Sequence, residues 1–244
     1  MSVDTVRPGR PPRNAGAPRH NAQYNVARPG SLAVRIAAQQ RRRMFEAFLA
    51  AARPAAADTV VDVGATSDRS YSHSNYLEAW YPHKHRVTAV GIDDAAFLEQ
   101  LYPGMRFVRA DGRDLPFADG EFDFAHSSAV LEHVGGRDNQ CRFLRELWRV
   151  TRKGIFVTTP NRWFPVEFHT VLPLLHWLPP ASFRALLRRS GREFFADENN
   201  LNLMGRGELK RAAARAGIGA AAVGHVSLGG WPTNLLLIAR KTGG

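Results

Sequence analysis

The sequence predicts an α/β fold with a mostly parallel sheet, and three observations carry that prediction. Strand-like and helix-like segments alternate along most of the 244 residues. The segment "TVVDVG" is a short β-branched run bounded by Asp and Gly, a pattern repeated in "HRVTAVGIDD", which suits strands buried on both faces. Acidic residues recur just past the ends of successive strands, where ligands bind in sheets of this kind.

Taken in order, "RIAAQQRRRMFEAFLAAARP" places Ile36, Met44, Phe45 and Phe48 at helical spacing and stops at Pro54. The first strand follows, then a helix candidate around "SNYLEAWYP" and a second strand in "HRVTAVGIDD". "MRFVRAD", "FDFAHSS", "GIFVTTP", "GAAAVGHV" and "NLLLIARK" supply the remaining strand candidates. "RDNQCRFLRELWRVTRK" and "GRGELKRAAARAG" read as helices between some of them.

Composition narrows the function classes. The length fits one domain with a substantial core, expected over residues 31–244. No apolar run reaches the roughly 18 to 20 residues that a transmembrane helix needs. The amino-terminal stretch lacks the apolar segment of a secretory signal, so a cytoplasmic protein is expected. The formal charge of +11 would suit nucleic acid, but its location argues otherwise. Residues 1–43 hold nine arginines and one acid, Asp4, which leaves a net charge of only +3 for the rest. The Pro/Gly/Arg-rich residues 1–30 cannot bury enough apolar surface to fold and are expected to be a disordered basic tail. Nucleic acid is therefore not the expected partner. The single cysteine, Cys141, has no disulfide partner and is expected to be a buried structural thiol on a helix. No oligomerisation signal is visible.

The strand ends supply the candidate ligand positions. Asp62 and Gly64 follow the first strand, and a glycine there permits close backbone approach to a ligand. Asp93 and Asp94 end the second strand, where a carboxylate can accept the hydroxyl hydrogens of a ribose. Asp111 and Gly112 follow the third, placing an acceptor and a backbone amide where an exocyclic amine could meet them. "VVDVG", "VTAVGIDD", "VRADGRDLPFADGEFDFAHSSAVLEHV", "GIFVTTPNR" and "NLLLIARK" together resemble the class I S-adenosylmethionine-dependent methyltransferases, especially their small-molecule, type 11-like branch. The resemblance covers residues 58–161 closely and the last strand loosely. It implies a Rossmann-like, doubly wound, seven-stranded sheet with an antiparallel last strand and helices on both faces. It also implies S-adenosyl-L-methionine as cofactor. Asp62, Gly64 and Ala65 would border its methionine part, Asp93 would hold the ribose, Asp111 and Gly112 would bind the adenine, and Ser127 would line the cofactor.

The chain departs from that pattern in its first loop. Thr66 and Asp68 stand where the family places further glycines, and neither adopts positive φ as readily, so the loop is expected to take another path. For proton transfer the candidates are His133 in "LEHV" and Glu167 and His169 in "VEFHT". Glu167, His169 and His176 match no strong metal signature, so no metal is expected. The aromatic- and leucine-rich stretch at about 162–205 carries two of the five tryptophans, Trp163 and Trp177, and is expected to be a lid over an acceptor with an apolar part. The expected activity is methyl transfer to a small-molecule or lipid-linked metabolite. The alternatives are an RNA or protein methyltransferase guided by the basic tail, and a cofactor-binding protein without turnover.

Overall fold

The chain is seen here as a computed structural model that describes residues 31–69 and 73–241. The tail expected to be disordered lies outside them. The first described element is α1 (Leu32–Ala52), whose start is capped by the Ser31 hydroxyl, 3.4 Å from the Val34 amide. Its end is set by Arg53, left-handed at φ 47°, with Pro54 next in line. Met44, Phe45, Phe48 and Ala52 are buried along one face, and α1 packs against the sheet through them.

All seven expected strands form: β1 (Val60–Val63), β2 (Val87–Gly91), β3 (Arg106–Arg109), β4 (Phe122–Ser128), β5 (Thr151–Pro160), β6 (Ala221–Leu228) and β7 (Trp231–Arg240). Their order across the sheet is β3-β2-β1-β4-β5-β7-β6. Pairing is parallel from β3 to β5, and β7 runs antiparallel to both of its neighbours. The switch point lies between β1 and β4, with Val60 opposite Phe124. Every residue of β1 is buried, as a strand covered on both faces requires.

The two faces are covered separately. α1, α2 (Tyr76–Trp80) and α3 (Phe97–Leu101) share one apolar cluster with Val60, Ala89, Phe124 and Phe156. α4 (Arg137–Arg149) and α7 (Arg206–Arg215) share another with Val61, Val63, Ala125 and Leu237. Cys141 is a free thiol buried in the second cluster, as expected.

Between β5 and α7 the chain adds a 3-10 turn (Leu175–Trp177), α5 (Pro180–Arg189) and α6 (Glu193–Ala196). This segment has its own small core of Phe183, Leu187, Phe195, Ala196, Leu201 and Leu203. It is tied to the main body through Gln140, a buried polar residue on α4 that donates to the carbonyls of Leu131 and Asn202 at 3.0 and 2.9 Å. No helix among the described residues is long and apolar enough to cross a membrane.

Candidate active site

The carboxyl ends of β1, β2 and β4 meet around Gly64. It has φ 125°, and a Cβ there would stand 2.1 Å from Val130 Cγ2, so no other residue fits without displacing the turn after β4. The amides of Gly64 and Ala65 both donate to the Val90 carbonyl, at 2.8 and 2.9 Å. The chain thus leans onto β2, and the Ala65 carbonyl lies against Gly91, where a Cβ would come within 2.5 Å.

The glycine-poor loop takes the other path expected of it. Neither Thr66 nor Asp68 adopts positive φ. The Asn75 side chain instead grips the Thr66 backbone from both sides, accepting from its amide at 2.8 Å and donating to its carbonyl at 3.0 Å. The Thr66 hydroxyl accepts from the Asp68 amide at 3.1 Å. Side-chain hydrogen bonds therefore replace the backbone freedom of the missing glycines. A cleft of about 430 Å³ opens between this loop and α3, where the Arg69 guanidinium lies 3.9 Å over Phe97. Its walls do not include Asp93 or Asp111.

The expected cofactor residues fall into two groups. Asp93, beyond β2, has a buried Oδ2 with no hydrogen-bond partner, which leaves an acceptor in place for a hydroxyl. Gly112 has no room for a side chain, since a Cβ would meet Phe143 at 2.5 Å and Val63 at 2.8 Å. The others are already engaged. Asp111 is held by Arg113, whose Nη2 approaches Oδ2 at 2.6 Å and whose Nε bonds both oxygens. Those bonds, against some desolvation, keep its carboxyl below the usual range. Ser127 donates to the Val63 carbonyl at 2.7 Å and is fully buried.

Asp62 turns inward. Its Oδ1 is 2.5 Å from His126 Nδ1, and the far nitrogen of that ring is 3.0 Å from the Tyr76 hydroxyl. Burial pushes Asp62 up to about 6 and His126 down to about 4. Glu78 lies with them, fully buried, with neither oxygen accepting a hydrogen bond. Burial, reinforced by Asp62, pushes its carboxyl well above the ordinary range. This second polar group lies under the sheet beside Phe48 and Phe156.

The proposed proton-transfer residues come together at the rim. After β4, Ala129 at φ 55° turns the chain into a 3-10 turn, Leu131–His133. His133 Nδ1 is 2.6 Å from the Asn200 carbonyl, and its Nε2 is 3.1 Å from His169 Nε2. His169 Nδ1 is 2.7 Å from Glu167 Oε1. Glu167 also accepts from the amides of His169 and Thr170, at 3.0 and 2.6 Å. Burial opposes ionisation of Glu167, but the His169 charge and these donors outweigh it and hold the carboxyl down at about 2. Burial and the neighbouring His169 push His133 down to about 3. His176 stands apart, bonded through Nε2 to the Phe164 carbonyl at 2.8 Å.

Sequence reasoning singled out His133, Glu167 and His169 but not the groups that fix them. Asn200 orients His133 through a backbone carbonyl, which leaves no sequence signal. Glu132, beside His133, is fully buried, and burial pushes it up to about 7. Among the missed residues, His126 did have a signal, since a histidine inside the apolar strand "FDFAHSS" needs buried partners.

Comparison with known proteins agrees with this architecture. Residues 61–158 match the sequence profile of a methyltransferase domain. Over those residues the chain is similar to methyltransferase domains. An uncharacterized methyltransferase of Mycobacterium sp. (strain KMS) is 51% identical over 51 residues, which are 21% of this chain and 19% of that protein. Another, from Mycolicibacterium gilvum, is 38% identical over 96 residues, covering 38% of this chain and 35% of the relative. The matched part thus spans about a fifth to a third of these curated relatives. Among solved structures, the magnesium protoporphyrin IX methyltransferase of Synechocystis, determined with bound SAH, superposes with TM-score 0.56 at 14% identity over 92% of this chain and 93% of that one. A SAM-dependent methyltransferase of Thermotoga maritima gives TM-score 0.54 at 18% identity, over 86% of this chain and 92% of that one. At these identities the structural likeness speaks for the fold of the methyltransferase domain.

Proposed function

We propose that this chain transfers a methyl group from S-adenosylmethionine to a small-molecule or lipid-linked acceptor with an apolar part. The observation that carries the cofactor assignment is the buried, unpartnered Oδ2 of Asp93 beyond β2. Asp93 would accept from the ribose hydroxyls, and Gly64 and Ala65 would pass their backbone beside the amino-acid portion. Asp111 would meet the adenine only by sharing or yielding Arg113. When bound, the cofactor supplies a methyl made electrophilic by its sulfonium.

The chain's own part is alignment, water exclusion and proton handling. The insertion closes over the turn after β4, with the Asn202 amide donating to the Glu132 carbonyl at 2.8 Å. Five of its large apolar residues, Trp163, Phe168, Val171, Leu174 and Leu178, remain exposed on the rim. That concentration suits an apolar acceptor better than a polyanion. Because the Asn200 carbonyl can only accept, His133 carries its proton on Nδ1 when neutral and presents a lone pair on Nε2. With no metal ion held between the two rings, Nε2 is the atom that would take a proton from the acceptor.

Calorimetry of S-adenosylmethionine and S-adenosylhomocysteine against the wild type and Asp93→Ala tests the reading. Micromolar binding of both, weakened on the order of 100-fold by the substitution, is expected for a carboxylate holding two hydroxyls. Wild-type protein that binds neither ligand would overturn it.

A further inference from the structure

We propose that Glu132, His133 and His169 form a binding site for one divalent transition-metal ion of the zinc type. The three residues each offer a ligand atom, and these atoms all lie within 4.8 Å of one another. The two imidazole Nε2 atoms are 3.1 Å apart, and Glu132 Oε1 is 3.7 Å from His133 Nε2. Nitrogen and oxygen ligands bind zinc at about 2.0–2.2 Å and therefore stand roughly 3–4 Å from one another.

Ring orientation gives the strongest argument. His133 Nδ1 meets a carbonyl at 2.6 Å, and His169 Nδ1 meets a carboxylate oxygen at 2.7 Å. Both partners only accept, so each neutral ring carries its hydrogen on Nδ1 and turns the Nε2 lone pair toward the other ring. Two lone pairs at that separation call for a cation between them, either a proton or a metal ion. The outer contacts match those of metal-binding histidines, whose second nitrogen donates to a carboxylate or a backbone carbonyl.

Glu132 supplies an independent observation. Its side chain is fully buried, Oε2 accepts from the Thr159 hydroxyl at 2.9 Å, and Oε1 accepts no hydrogen bond. A buried carboxylate oxygen without a donor is costly unless something positive meets it. Glu167 is not the third ligand, because its oxygens already hold His169 and the Thr170 amide. Two imidazoles and one carboxylate select a transition metal over magnesium and leave coordination positions open. The His133 side chain is the most exposed of the three, at 13%. If the methyl-transfer reading holds, a hydroxyl or carboxylate of the acceptor would occupy the open position and be polarised there. The ion site itself does not depend on that reading.

The test uses the full chain, stripped with chelator and titrated with cobalt(II) while its visible absorption is followed. One equivalent should saturate an intense band, and zinc should displace it. His169→Asn and Glu132→Gln should abolish the band, and Glu167→Gln should weaken affinity by about 10- to 100-fold. His83→Ala with His85→Ala, a ring pair just before β2 and outside the cluster, should leave it unchanged. Nitrogen NMR of ¹⁵N-histidine-labelled wild type keeps the proposal testable if a variant fails to fold, because zinc should move two Nε2 resonances. No saturable equivalent in the wild type, unmoved Nε2 resonances, or undiminished affinity in folded His169→Asn would each overturn the site. Metal binding without S-adenosylmethionine binding would sink the proposed activity and leave the ion site standing, and the reverse result would do the opposite.

Discussion

Two histidine–carboxylate pairs of nearly equal length occupy opposite states in this molecule. Asp62 and His126 meet at 2.5 Å beneath the sheet, and Glu167 and His169 meet at 2.7 Å on the rim. All four side chains are no more than 9% exposed, so burial alone does not separate them. What separates them is the rest of each carboxylate's environment. Glu167 accepts two backbone amides in addition to its histidine and stays ionised, which sustains a raised pKa at His169. Asp62 has no backbone donor among its hydrogen bonds, and burial raises its carboxyl more than the neighbouring Glu78 lowers it, so between about pH 4 and 6 the neutral forms prevail. Backbone donors thus decide whether a buried pair holds charge.

The largest expected effect breaks the rim pair. Glu167→Ala removes the acceptor of three hydrogen bonds and leaves His169 buried without its counter-charge. A loss of about 3–5 kcal/mol is expected by chemical denaturation at neutral pH. Asp62→Asn, which mimics the protonated acid, should change stability at pH 5, below the Asp62 pKa of about 6, by no more than about 1 kcal/mol. Equal losses would mean that both pairs are ionised.

The next effect concerns pH. Between about 4 and 6 the unfolded chain carries Asp62 ionised and His126 protonated, whereas the fold keeps the acid protonated and the ring neutral. Both states bind one proton across the pair, so the wild-type pair contributes almost no slope. Asp62→Asn leaves His126 alone, with its pKa lowered from 6.5 to about 4. The unfolded state then binds more protons, and stability should rise by about 3 kcal/mol from pH 4 to 6.5 relative to wild type. His126→Asn leaves Asp62 alone with a raised pKa, and stability should fall over nearly the same window. Denaturation curves across that range check the two signs, and parallel slopes in both variants would refute the neutral pair.

The fold was legible for reasons that the same contrast explains. β1, β2 and β5 announced themselves because strands buried on both faces favour β-branched residues and end at turn residues, and α1 because Met44, Phe45 and Phe48 keep helical spacing over a long stretch. The rim site was half legible. His133, Glu167 and His169 stood out as chemistry-bearing residues, but Glu132 and the Asn200 carbonyl join them only in three dimensions. Asp111 reads from sequence as an adenine acceptor, and nothing in "ADGRD" shows that the Arg113 side chain folds back onto it. The pair under the sheet was least legible, because the partners Asp62 and His126 lie 64 residues apart and meet only through β1–β4 pairing.

The insertion sharpens the comparison from the side of function. If the rim pair serves an acceptor that the insertion covers, Trp163→Ala and Trp177→Ala should raise the acceptor KM by up to about tenfold, equivalent to 1.4 kcal/mol, with S-adenosylmethionine affinity unchanged. The two rings lie 6.3 Å apart, and Trp163 is half-exposed. Unchanged KM in both variants would remove the insertion from acceptor binding.

The smallest effect is the most diagnostic for the pair under the sheet. Glu78 is fully buried, neither of its oxygens accepts a hydrogen bond, and burial raises its pKa well above the ordinary range, which favours the protonated acid. Glu78→Gln keeps the shape and replaces one neutral group by another. Stability at pH 7 should change by less than about 1 kcal/mol. Above the pKa of Glu78 the substituted protein should become the more stable of the two, because the wild type must either ionise a buried carboxyl or hold its proton against solution. A loss of several kcal/mol at pH 7 would mean that Glu78 is charged and has a cationic partner.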